Sequence, residues 1–131
     1  MAQKVLFRHC DPAGIVFYPR YFEMINDCVE AFFDSALGHP IEVLLRTGGI
    51  PTVRIDTVFT APSRHGDMLE LQVRCLRVGR TSVNLNISAN CAGEERFSAD
   101  STLVYVDKNG RPQLWPSKLR AALDAQIEGG A

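Results

Sequence analysis

After residue 52 this chain changes its repeat. VRIDTVFTA (53–61), MLELQVRCLRV (68–78), TSVNLNISANC (81–91) and ERFSADSTLVYVD (95–107) alternate apolar with polar residues or are rich in β-branched ones, so they read as strands. The breaks between them, PSRHGD, VGR and AGE, are too short for crossover helices and set neighbouring strands antiparallel. The one long helical pattern comes earlier, from about Pro19 to Ala36. Phe22, Ile25, Val29, Phe32 and Phe33 lie along one face of it. Pro19 suits its first turn and Gly38 its end. VLF at 5–7 is a further strand candidate, IEVLLR (41–46) a helical turn, KNGRP (108–112) a turn and SKLRAALDAQI (117–127) a short amphipathic helix. A sheet of this length with one sizeable helix must bury that helix on one face. The predicted class is α+β, a five-stranded antiparallel sheet wrapped around a long central helix, whose free edges invite a second subunit.

The 131 residues make a single domain, 1–131, with room for one core. Hydrophobic residues are 46% and charged ones 22%, and the formal net charge is −1, which argues against electrostatic capture of nucleic acid or an anionic membrane. No apolar run approaches the ~20 residues of a membrane span, and no apolar run precedes the first charges as in a secretory signal. Cys10, Cys28, Cys75 and Cys91 show no CxxC pair or zinc spacing, so they are expected to be reduced thiols of a cytoplasmic protein, without metal. His9, His39 and His65 are scattered and read as surface or loop histidines.

The most specific stretch is DPAGIVFYP, residues 11–19. An acidic residue before Pro12 and Gly14 sits in a tight loop that leads directly into the helix. Taken alone, Asp11 is either a turn former or a carboxylate with chemistry to do. Gly14 lets the backbone turn or approach a ligand closely, or simply makes the loop flexible. Phe17 and Tyr18 either line a pocket or staple the helix to the sheet. Cys10 is a rival nucleophile, but on an extended segment His9 points away from it.

DPAGIVFYP, together with GIPTVRIDTVFTAP (49–62) and VGRTS (78–82), resembles the hot-dog-fold thioesterases, and within them the 4-hydroxybenzoyl-CoA thioesterase branch. The resemblance spans about Leu6 to Val106. It implies an acyl-CoA hydrolase, assembled as homodimers or dimers of dimers with sites at subunit interfaces. Asp11 would be nucleophile or general base, and the backbone N–H of Tyr18 the oxyanion donor. Gly14 and Phe17 would meet the acyl group, and Arg77, Arg80, Thr81 and Ser82 the nucleotide of CoA. No cofactor is implied, since CoA is part of the substrate. Gly79 and Thr81 depart from the branch, which has basic residues there, and Asn26 stands where it has an acid. The acyl group is therefore expected to be small, either aromatic or short aliphatic. Two other readings stay open: an enzyme acting on acyl carrier protein, for which Arg77 and Arg80 would suit an acidic partner, and a non-catalytic acyl-CoA-binding module.

Overall fold

The computed structural model describes residues 1–130. Strands β1 (Ala2–Lys4), β2 (Thr52–Phe59), β3 (Met68–Val78), β4 (Ser82–Cys91) and β5 (Glu94–Val104) form one antiparallel sheet in the order β1-β3-β4-β5-β2. Helix α1 (Pro19–Ala31) runs into a wider turn, Phe32–Ala36, and α2 (Ile41–Leu44) and α3 (Ser117–Gly130) complete the elements. The wider turn follows from a bond five residues long, Leu37 N–H to Phe32 O at 3.0 Å.

Strand β4 shows how alternation becomes a core. Val83, Leu85, Ile87 and Ala89 are fully buried, while Asn84, Asn86, Ser88 and Asn90 between them are half-buried on the other face. Asn84 and Asn86 bond across to Thr102, Ser98 and Asp100 of β5, so the outer face is a polar ladder. The inner face receives α1, and each fully buried aliphatic residue contributes roughly 1.5–3 kcal/mol. Leu119 and Leu123 of α3 add to the same core beside β3.

Two expectations need correction. The helix face holds in part: Ile25, Phe32 and Phe33 of the predicted stripe are buried, but Tyr21, Met24 and Cys28 are buried with them, while Phe22 and Val29 are only half-buried along the flank. Several apolar side chains surround this helix, so periodicity alone did not select which stripe meets the sheet. The first strand is Ala2–Lys4 rather than 5–7, because Phe7–His9 closes into a single 3₁₀ turn. The cause is local: Nδ1 of His9 accepts the Leu6 N–H at 2.9 Å, an alternative to the strand ladder. Among the described residues no helix is long and apolar enough to cross a membrane.

Candidate active site

The chain leaves the 3₁₀ turn at Cys10 and returns at Val16, and these two residues pair in an isolated bridge. Between them, the Asp11 N–H donates to Ile15 O and the Gly14 N–H to Asp11 O, both at 2.9 Å. The Asp11 side chain takes part as well, since Oδ1 accepts the Ala13 N–H at 2.9 Å. Asp11 is thus a turn former, but with one oxygen only; Oδ2 makes no hydrogen bond among the described residues. The residue is half-buried and lines a cavity of about 490 Å³ with Phe7, Cys10, Pro12, Gly14 and His65.

Helix α1 begins immediately beyond. The Phe17 N–H donates to His9 O, the Arg20 N–H to Phe17 O and the Tyr21 N–H to Tyr18 O, while Pro19 has no N–H. Among the described residues the Tyr18 N–H makes no backbone hydrogen bond, as befits a donor at a helix start. No acidic residue stands in the first turn, so the positive end of the helix is not neutralised by its own side chains. The side chains of Phe17 and Tyr18 are exposed, at 48% and 58%. Tyr18 lines a second concavity, about 390 Å³, with Ile15, Val16, Tyr21, Phe59 and the 60–62 segment. The Ile15–Val16 segment therefore separates two hollows, one holding Asp11 and the other opening on Tyr18.

His9 is not a surface histidine: it is 3% exposed. Burial, reinforced by the charge of Arg8, pushes its pKa below the ordinary histidine value. Because Nδ1 accepts the Leu6 N–H, the neutral ring carries its proton on Nε2. It fixes the backbone that enters the Asp11 loop. The Cys10 thiol leans on Leu6 O at 3.6 Å and is not paired with His9. His65 is the residue that sequence did not bring to this place. It is exposed, as expected for a loop, yet it lines the Asp11 cavity and its ring meets Phe7 edge-on at 6.0 Å. Nothing in an isolated RHGD turn signals that proximity.

Arg77, Arg80, Thr81 and Ser82 are not near Asp11 within one chain. They lie at and beyond the C-terminal end of β3, while the turn carrying His65 precedes its N-terminal end. An 11-residue strand at about 3.3 Å per residue puts roughly 30 Å between the two ends. The 79–82 turn is tightly built: the Gly79 N–H donates to Ser82 O at 2.8 Å, and Arg120 holds Gly79 O at 3.0 Å. Arg77 and Arg80 are exposed. A third groove, about 350 Å³, lies between the flank of α1 and β2; Phe22, Ile25, Asn26, Val29, Ile50 and Ile55 are among its walls. Glu23 and Glu30 face solvent, and Glu23 is paired with Arg20.

Comparison with known proteins places the fold. The model of the thioesterase-like superfamily matches residues 5–123. No curated protein matches the chain. Among solved structures, a gentisyl-coenzyme A thioesterase is 26% identical, with a TM-score of 0.86 over 94% of this chain and 98% of that one. A 1,4-dihydroxy-2-naphthoyl-CoA thioesterase from Synechocystis is 16% identical, with a TM-score of 0.87 over 95% of this chain and 93% of that one. A thioesterase from Thermus thermophilus, complexed with coenzyme A and Zn, is 22% identical, with a TM-score of 0.85 over 98% of this chain and 92% of that one. At their identities the last two show the hot-dog fold alone.

Proposed function

The chain belongs to the thioesterase-like superfamily as a hot-dog-fold thioester hydrolase, and we propose that it cleaves a small, aromatic or short aliphatic acyl-CoA with Asp11 as the catalytic carboxylate. The observation that carries this is the division of labour within one side chain: Oδ1 holds the turn, while Oδ2 makes no hydrogen bond among the described residues, in a residue that lines a cavity seven positions before the N-cap of α1. In the direct route, that carboxylate takes a proton from water as the water oxygen attacks the thioester carbonyl; the C–S bond then breaks, and the departing CoA thiolate takes up the proton. In the covalent route, the carboxylate oxygen attacks, the C–S bond breaks to release the thiolate, and water then cleaves the mixed anhydride. In both, negative charge gathers on the carbonyl oxygen. The unpaired Tyr18 N–H at the positive helix end is the donor proposed for it. Gly14 keeps the loop low beside the carboxylate, and Phe17 offers apolar surface to the acyl group.

The place of the Arg77–Ser82 turn at the opposite end of β3 from the His65 turn, roughly 30 Å by strand rise, supports a site assembled from two copies. Strand β2 is an edge of the sheet and carries exposed Val53 and Val58. A second copy pairing there about a two-fold axis runs antiparallel, which reverses its ends. Its 79–82 turn then points toward the end of the first copy that carries Asp11. Arg77 and Arg80 there supply charge for the CoA phosphates, with the Thr81 and Ser82 hydroxyls beside them. A homodimer is the smallest assembly that meets this requirement, and a homotetramer built from two such dimers meets it equally. A cytoplasmic location fits an acyl-CoA substrate.

The test is thiol release from a panel of aryl and aliphatic acyl-CoAs and from an acyl carrier protein thioester. Asp11→Asn keeps a side-chain oxygen for the Ala13 N–H, so the turn survives. Turnover of the preferred acyl-CoA should fall by about 10²- to 10⁴-fold, the range for losing a general base. Near wild-type turnover by this variant ends the assignment, and faster cleavage of the carrier-protein thioester changes the substrate class.

A further inference from the structure

Arg96, at the start of β5, is 9% exposed, which for a permanently charged group requires an explanation. Its partners supply one. Nη1 lies 2.8 Å from Asp67 Oδ2, 3.1 Å from Ser63 Oγ and 3.1 Å from Pro62 O, and Nε lies 2.9 Å from Glu94 Oε1 without hydrogen-bond alignment. Three of these four contacts fall on the connection between β2 and β3, a stretch with no regular structure of its own. One guanidinium thus ties that connection down from inside.

Both ends of the Asp11 loop rest on the same connection. On the way in, the Val5 N–H donates to Asp67 O and the Gly66 N–H to Val5 O, each at 2.8 Å. On the way out, Ile15 bridges to Arg64, and the Val16 N–H donates to Ser63 O at 2.8 Å. Ser63 is fully buried, so this acceptor has no water to replace it. Asp67 also receives the Arg64 N–H at 2.9 Å. That bond, followed by the one from Arg96, holds the Asp67 carboxyl below the usual carboxylate range and keeps it ionised against the guanidinium.

We infer that Arg96 is a positioning residue for hydrolysis: through Ser63 and Asp67 it sets where the Asp11 carboxylate stands relative to the start of α1. The inference rests on Asp11 being the catalytic carboxylate. Arg96 itself does not line the Asp11 cavity, and none of its side-chain hydrogen bonds or ion pairs reaches Asp11. Its effect passes through backbone hydrogen bonds, and a displacement of about 1 Å at a reacting group is enough to cost roughly a hundredfold in rate.

The experiment compares steady-state kinetics of wild type, Arg96→Met, Arg96→Lys, Asp67→Asn and Asp11→Asn on one acyl-CoA. Each variant is assayed at a temperature where calorimetry and circular dichroism show it fully folded. The expected result is a fall of roughly 10- to 100-fold in kcat for Arg96→Met with KM within about threefold, and partial recovery in Arg96→Lys. Asp67→Asn is nearly isosteric and should lower kcat likewise; combined with Arg96→Lys it should do no worse than the stronger single change. Should Arg96→Met fail to fold, Asp67→Asn and that double variant decide the matter. A folded Arg96→Met or Asp67→Asn with wild-type kcat overturns the inference. If instead Asp11→Asn stays active, the assignment of Asp11 has failed, and this outcome is distinct from the others.

Discussion

Replacing Gly14 with alanine separates backbone strain from crowding at the Asp11 turn. Gly14 has φ +81°, a conformation that L-residues rarely adopt, yet an added Cβ would meet nothing within 4 Å. The substitution therefore changes no contact. Holding an L-residue in left-handed space costs roughly 1–2 kcal/mol. The stiffer unfolded chain of the variant returns about 0.4–1 kcal/mol. A net loss of about 0.8 kcal/mol remains at the middle of the two ranges. At the usual entropy of unfolding per residue, a chain of this length loses about 3 °C in Tm. Scanning calorimetry at one fixed protein concentration measures it, because assembly would otherwise shift the midpoint. Gly14→Asn, whose side chain tolerates positive φ, should fall between wild type and Gly14→Ala. Since Gly14 also donates to Asp11 O, kcat should decline in the same order. An unchanged Tm in Gly14→Ala, or a lower one in Gly14→Asn than in Gly14→Ala, refutes strain as the reason for glycine here.

The hairpin between β4 and β5 closes on Ala92 and Gly93, with φ 50° and 83°, so Ala92 is a left-handed alanine in a two-residue turn. Ala92→Asn, the residue this turn prefers, should raise Tm by a few degrees, on the order of 1 kcal/mol, and no gain would show that the turn is not the strained element. The thiols should react in two classes. Cys10 and Cys91 are half-exposed and should label quickly in native protein at pH 8. Cys28 and Cys75 are buried, and their pKa values are raised, that of Cys75 to about 11 with Asp124 adding to burial. They should label only after denaturation, and four fast thiols in the native protein would contradict the packing.

Much of this architecture could be read from local pattern. The alternation in NLNISAN specifies a half-buried strand wherever it is placed, because side chains on a strand point to opposite faces. The short breaks between the strands leave no topology but antiparallel neighbours. The long helix that begins at Pro19 and the turn at Asp11 are likewise local, made by residues a few positions apart. The burial of His9 is not legible in the sequence, because its environment is not in its neighbours' identities. Its burial comes from the chain packed over it, and its bond to Leu6 then shortened the first strand. The stripe of α1 that meets the sheet is legible only in part for the same reason: Ile25, Phe32 and Phe33 are buried as their spacing predicts, but Tyr21 and Met24 compete with Phe22 and Val29, and only the shape of the sheet selects between them.

What the sequence determined by itself was the repertoire of elements and the presence of a carboxylate in a tight loop before a helix. These follow from bonds and periodicities spanning fewer than a dozen residues. Tertiary structure alone decided that Asp11 gives one oxygen to the turn and keeps the other without a hydrogen bond among the described residues. It also brought His65 to the same cavity, anchored the loop to a guanidinium eighty-five positions away and set the Arg77–Ser82 turn at the far end of the sheet. Those relations depend on which strands lie side by side and which ends they share, and no stretch of chain carries that information until the sheet has closed around the helix.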